Sequence, residues 1–417
     1  MRGATYLLLG ICLFSLIACG GKKKHYYGDD GLSDISPYVA EGAYSSILKS
    51  CARADPGQSC TLADLPALGM EFDTPQIADI MERTLVSHAW MGARFQEVLE
   101  RMPDDMLYLF GAVTAVVIDA DIRPSHYNPR TAAIYLDPDY LWLTDEELAV
   151  ISTQADFRGS YGSRMSFRPV WRYVNGPDDD VRDLNSIVVD TAQLLFHELA
   201  HANDIFPRAH FENVDISQRV EEVTNSLYDQ FPSTRLVLRD ALKSDVMYRL
   251  AGILYRGDNA SDSYRRVGAA LVASHFEPDS ANDDYNYTTQ YEDVAMLFEE
   301  AMMKAHFNMD RDVGFTNAAN SGFCSDYILA WGTRNRLGAE QVKTRAAWVV
   351  AELLPEEDYT WLFDSFPDPQ PLRTGVSWCD SAPSLPNSQA KSFAEPGSDR
   401  RINPRHLRPR GAPQSGI

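Results

Sequence analysis

The chain has 417 residues, 45% hydrophobic and 11% aromatic, enough to bury a sizeable core in one large domain or two modest ones. Its 38 Lys and Arg stand against 59 Asp and Glu, a formal net charge of -21. The averaged field repels phosphate backbones, so nucleic acid is set aside as a partner.

The first residues read as an address. Arg2 is a short basic region, and the apolar run from Tyr6 to Ala18 is too short, and too closely followed by GGKKKHYYGDDG, for a membrane span. A signal peptide over residues 1–18 is expected. Its end, Leu16-Ile17-Ala18-Cys19, resembles the bacterial lipobox. That resemblance implies cleavage before Cys19 and acylation of that cysteine. With Gly20 rather than Asp next, it also implies an outer-membrane lipoprotein facing the periplasm or the cell surface. Several acyl chains would hold it to the membrane. The alternative is a plain signal or anchor with an incidental cysteine.

Cys12 leaves with the signal and Cys19 takes lipid, so Cys51, Cys60, Cys324 and Cys379 remain. In an exported protein they suggest two disulfides. Three pairings are possible; the short loop CARADPGQSC favours Cys51 with Cys60, and Cys324 with Cys379 follows by elimination. A four-cysteine metal site is a poor alternative because no CxxC spacing occurs.

Residues 19–60 are expected to form a lipidated tether and the N-terminal disulfide segment, polar and glycine-rich up to about Asp34. Residues 61–380 form the folded body, and 381–417, rich in Pro, Ser and Arg, are expected to stay disordered. Within the body, the helical spacing from Thr74 to Met102 predicts one long helix capped by Thr74 with Pro75 at its first position. GAVTAVVIDADIRPS and TAAIYLDPDYLWL carry β-branched runs bounded by Pro, Asp and Asn, the pattern of two short strands joined by RPSHYNPR. Residues 185–205 predict a helix stopped near Pro207. The patterns that follow, VEEVTNSLYDQF, STRLVLRDALKSDVMYRLAGILY, QYEDVAMLFEEAMMKAHF and GAEQVKTRAAWVVAELL, are mostly helical. The class is α+β, helix-dominated with a small sheet.

The stretch LLFHELAHANDIFP places His197 and His201 four residues apart with Glu198 between them. On a helix the two imidazoles project about 40° apart, with Glu198 on the same flank and Val188, Ala192, Leu195 and Leu199 forming the opposite stripe. Both can reach one ion. Zinc suits this geometry: its tetrahedral shell takes nitrogen at about 2.0 to 2.1 Å and keeps one position for water, whose proton Glu198 would take as general base.

HELAH matches the HExxH signature of the zincin metallopeptidases, with the uncharged interior Leu199-Ala200. The metzincin continuation would need Gly at 204 and His at 207; Asp204 and Pro207 exclude it. The gluzincins take a glutamate from a later helix, and YEDVAMLFEEAMM resembles the E-x-x-A-E-x-F pattern of some members, including the lethal-factor-like peptidases. The resemblance implies Glu292 as third ligand, with Glu299 the runner-up and Glu300, His210, Asp215 and Glu221 behind it. Where the pattern has a second acid, four positions on, stands Met296; Asp190 or Glu299 could orient a histidine ligand instead. Tyr285 and Tyr287 are candidates to stabilise the oxyanion, as in some lethal-factor-like relatives, or they merely pack the approach to the helix. Zincins also hold substrate along a sheet edge, for which Ala132–Pro138 is the expected strand.

The resemblance thus implies a zincin-like domain holding one Zn2+ and hydrolysing peptide bonds of a peptide or protein substrate in the cell envelope. Two other readings stay open. One is a zincin-like binding or scaffolding lipoprotein without turnover; the other is a structural envelope protein without metal.

Overall fold

The computed structural model describes residues 35–383, except 54, 56, 177–180 and 320, together with 401 and 402. The signal peptide, Cys19 and most of the C-terminal tail lie outside the described residues.

Two small sheets frame a helical centre, so the class is α+β and helix-dominated. The first sheet contains β1 (Ser36–Pro37), β2 (Thr84–Val86), β3 (Ala115–Ile118), β4 (His126–Asn128) and β5 (Ala133–Leu136), in the order β1-β2-β3-β5-β4. Strands β2, β3 and β5 are mutually parallel, and β1 and β4 run antiparallel on the two edges. The inner strands are buried on both faces, which is why their sequences are continuous apolar runs rather than alternations. The second sheet, β6 (Phe167–Val174), β7 (Asp310–Asn317), β8 (Leu329–Arg334) and β9 (Gln370–Pro371), is antiparallel throughout and in sequential order.

Two expectations change here. The single helix expected over Thr74–Met102 is instead a helix at Ile77–Glu82, strand β2, and a helix at Ala89–Leu99. Thr84, Leu85 and Val86 pair with β3, and the first helix is capped by Gln76 and Asp79 rather than Thr74. The expected edge strand, Ala132–Pro138, is interior as β5, because the segment Arg123–Arg130 folds back and supplies β4 outside it. The tail expected from residue 381 lies mostly outside the described residues; of those described, Ile402 is buried beside Trp378 and Leu329, and its N–H donates to the Gly322 carbonyl at 3.0 Å.

The helix carrying the HExxH residues runs Leu184–Ile205 and is called the motif helix below. Asp183 caps it by accepting from the Ser186 N–H at 2.9 Å, and Pro207 follows its end. Beyond Ile187 nearly every position is buried, so the helix is a central strut rather than a one-sided amphipathic element. Packed against it is the helix Gln290–Phe307, called the glutamate helix, capped by Thr289 and closed by Asn308 in the left-handed conformation at φ 50°. Their shared core includes Leu195, Phe196, Leu199, Val294, Leu297 and Phe298. A second core lies between the second sheet and the helices Asp245–Tyr255 and Ala269–Phe276; Met296, Tyr285 and Tyr287 belong to it.

Cys51 is bonded to Cys60 and Cys324 to Cys379, across sequence separations of 9 and 55 residues. Loop-closure entropy assigns about 2.5 kcal/mol to the first and about 4 kcal/mol to the second. Replacing Cys324 and Cys379 together by serine is therefore expected to destabilise the fold more than replacing Cys51 and Cys60. Urea unfolding of the two double variants checks this. Equal losses would remove loop length as the cause.

Candidate metal centre

His197 and His201 sit one helical turn apart on the motif helix, and the glutamate helix brings Glu292 against them. One ligand atom from each lies within 4.8 Å of the other two. His197 Nε2 is 3.0 Å from Glu292 Oε2, and His201 Nε2 is 3.5 Å from the same oxygen. A tetrahedral shell with bonds of about 2.0 to 2.1 Å has edges of about 3.3 Å, so these spacings fit a zinc ion without rearrangement of the helices. All four side chains are enclosed: exposure is 4% for His197, 2% for Glu292 and 0% for Glu198 and His201.

Two histidines satisfied by carboxylates would be the simpler reading of this helix, and it accounts for only one of them. His197 is held from both sides, by Glu292 at Nε2 and by Glu299 at Nδ1, each at 3.0 Å. His201 makes no well-aligned hydrogen bond at either nitrogen, and Glu198 has only the Tyr127 backbone close to its carboxylate. The 3.5 Å approach of His201 to Glu292 is at the outer limit of a hydrogen bond and too poorly aligned to satisfy the ring. Burying an imidazole and a carboxylate so weakly satisfied costs several kcal/mol. A cation within the cluster removes that cost for His201 and leaves Glu198 beside it as an acid–base group.

The charges follow from this enclosure. Burial pushes His197 down, but its hydrogen bonds to Glu292 and Glu299 outweigh burial and raise its pKa to about 10. A cation bound at Nε2 must displace that proton. Burial lowers the pKa of His201, which keeps it in the neutral form that ligates metals. Glu292 is likewise opposed by burial, yet His201 and His197 bring it down to about 2. Glu198 moves the other way: burial raises it to about 8, with His197 the largest opposing influence.

The remaining candidates separate clearly. The Tyr285 ring lies 6.4 Å from that of His197 and stacks edge-on to Tyr255, at the rim of the cluster. Tyr287 is not brought there: its hydroxyl donates to Asp279 at 2.9 Å, and its ring packs on Tyr248 and Phe276. Glu300 accepts from Asn282 at 2.8 Å, and Asp293 is bound to Arg345, both on other faces of the glutamate helix. Asp215 is exposed and caps Ser217, Glu221 accepts from the Gly57 N–H, and His210 lies in a short 3-10 turn beyond the motif helix. Met296, where the lethal-factor-like pattern has an acid, fills the second core instead.

Two groups are not identifiable from sequence. Arg158 is the one residue between 152 and 164 that is buried as a whole; it pairs with Asp156 and lies within electrostatic range of Glu292, Tyr285 and Glu198. No sequence signal marks it. Arg311 reaches Glu299 and Asp283 from β7, and only a contact map links it to the cluster.

The His197-Glu198-x-x-His201 stretch with the distal Glu292 is thus a cluster consistent with a zincin-like zinc site, able to support metal-dependent chemistry. No protein-family model, no curated protein and no solved structure matches this chain.

Proposed function

We propose that the protein is a zinc-dependent endopeptidase of gluzincin type, anchored in the cell envelope by lipid on Cys19 and acting on peptide or protein substrates there. The observation that carries the reading is the pairing of a three-ligand N,N,O cluster with a second buried carboxylate, Glu198, which stands on the motif helix outside the ligand set. Two disulfides and the Leu16–Cys19 segment support export and an outer-membrane address. A zinc ion held by His197, His201 and Glu292 supplies Lewis acidity towards a carbonyl oxygen and a water. Glu198 receives the proton of the attacking water at a carboxylate oxygen and returns it to the leaving amine. Tyr285, whose ring lies 6.4 Å from that of His197, would meet the developing oxyanion, and the buried walls exclude bulk water.

One observation favours a second reading, a zincin-like binding or scaffolding lipoprotein without turnover. The cluster is closed to solvent, so a polypeptide reaches it only after the covering chain moves.

Metal content tests the proposal first. Purified protein is expected to carry one zinc per chain, and His197→Ala with His201→Ala is expected to abolish it. A protein that takes up no zinc when supplied with it would leave neither reading standing.

A further inference from the structure

We infer that Glu299 and Arg311 are positioning residues for the metal site: Glu299 fixes the ring of His197 through Nδ1, and Arg311 fixes Glu299 from the second sheet. The inference rests on the metal reading above and extends it to residues that touch no ion.

Glu299 lies seven residues, close to two helical turns, after Glu292, so both carboxylates face the motif helix. They grip one imidazole from opposite sides, Glu292 at Nε2 and Glu299 at Nδ1. When a cation takes the place of the Nε2 proton, the Nδ1 proton stays on its hydrogen bond to Glu299, and the freed lone pair is the one on Nε2. That nitrogen is the one facing Glu292 and His201. The arrangement therefore fixes the ring orientation before any cation arrives and leaves Nε2 as the nitrogen that ligates it.

Glu299 is itself overdetermined. Its Oε1 accepts from the Tyr173 hydroxyl at 2.9 Å, from Gln193 Nε2 at 3.1 Å and from Arg311 Nη1 at 2.9 Å. Gln193 stands one helical turn before His197, Tyr173 is on β6, and Arg311 is on β7. The chain leaves the glutamate helix at Asn308, reverses, and returns as β7, which is how Arg311 comes back alongside Glu299. Arg311 is held in turn by Asp283 at 2.7 Å and lies over the Trp171 and Tyr173 rings. Side chains of Arg311, Glu299 and Asp283 are at most 2% exposed. Buried ion pairs contribute little net stability against an apolar packing of the same volume, so the consequence of this one is geometric. It ties the imidazole to the second sheet through a carboxylate that cannot swing. The resembling gluzincin pattern places an acid four residues after the ligand, where this chain has Met296 in an apolar core. The task falls to a carboxylate one turn further along.

Zinc affinity of the full-length protein, measured by chelator competition, tests this, with the visible spectrum of the cobalt-substituted protein as a second readout. Glu299→Gln keeps the shape and an acceptor for Nδ1–H but loses the charge; it is expected to weaken zinc about 10–100-fold and shift the cobalt bands. Arg311→Lys keeps the charge and loses the forked geometry; it is expected to weaken zinc less, in the same direction. Should a variant fail to fold, nitrogen-15 spectra of histidine-labelled, zinc-loaded wild type decide. Ligation through His197 Nε2 with a protonated Nδ1 supports the inference; ligation through Nδ1 overturns it. Wild-type affinity and unchanged bands in both variants also overturn it while leaving the metal site intact. Wild type that binds no zinc overturns the metal reading itself.

Discussion

Glu198→Gln is expected to lower peptide hydrolysis by about 10²–10⁴-fold while the bound zinc stays in place. The two halves of that expectation come from different features of the same side chain. Glutamine matches glutamate in volume, so the buried pocket at 0% exposure stays filled and the motif helix keeps its packing. Glu198 is not among the three cluster ligands, so the donor set is unchanged. What the amide cannot do is accept a proton, while its oxygen can still face the Tyr127 backbone as the carboxylate does. Turnover of a denatured protein substrate, measured beside metal content, separates the readings. Zinc lost with the substitution would make Glu198 a ligand. Zinc kept with turnover unchanged would remove it as base. Zinc kept in a wild type that turns over no substrate selects the scaffold.

The parts legible in the sequence are those whose signal is local. The motif helix is expected from Asn185 and begins at Leu184, and the glutamate helix spans the Gln290–Phe307 stretch quoted for it, because caps and breakers sit within a few residues of each end. The cluster is legible because the i, i+4 histidines declare a face. Elsewhere the deciding information is remote. Thr84, Leu85 and Val86 continue a helical pattern and become strand only because β3, thirty residues on, and β1 flank them. The second sheet joins β6 to β7 across the whole helical centre, and the Asp310–Asn317 sequence has too many polar residues to advertise a buried strand. Glu299 looks like any helix carboxylate until Arg311, Tyr173 and Gln193 are seen around it. Arg158, in a loop of exposed and half-buried residues, has no local signature at all.

Asp204→Asn is expected to make the fold more stable than wild type at pH 8, by an amount approaching ~4 kcal/mol, and no more stable at pH 4. Asp204 lies in the last turn of the motif helix, where the helix dipole disfavours a negative charge, and it is 0% exposed. One oxygen accepts from the Ser233 N–H at 2.6 Å; the other has no partner. Burial raises its pKa from 3.8 to about 7, against the opposing pull of the Ser233 hydrogen bonds. The folded chain therefore keeps this proton up to about pH 7, whereas the unfolded chain releases it above 3.8. Between those values only the unfolded state gains from ionisation, so the stability due to this group is fully present below pH 3.8 and falls as pH rises to about 7. Asparagine keeps the acceptor for Ser233 and has nothing to ionise, so its contribution is flat. Urea unfolding of both proteins in chelator, from pH 4 to 8, isolates the difference because every other titrating group is common to the pair. A wild-type minus variant difference that does not change with pH would mean that Asp204 is ionised in the folded state, with a counter-charge compensating its burial.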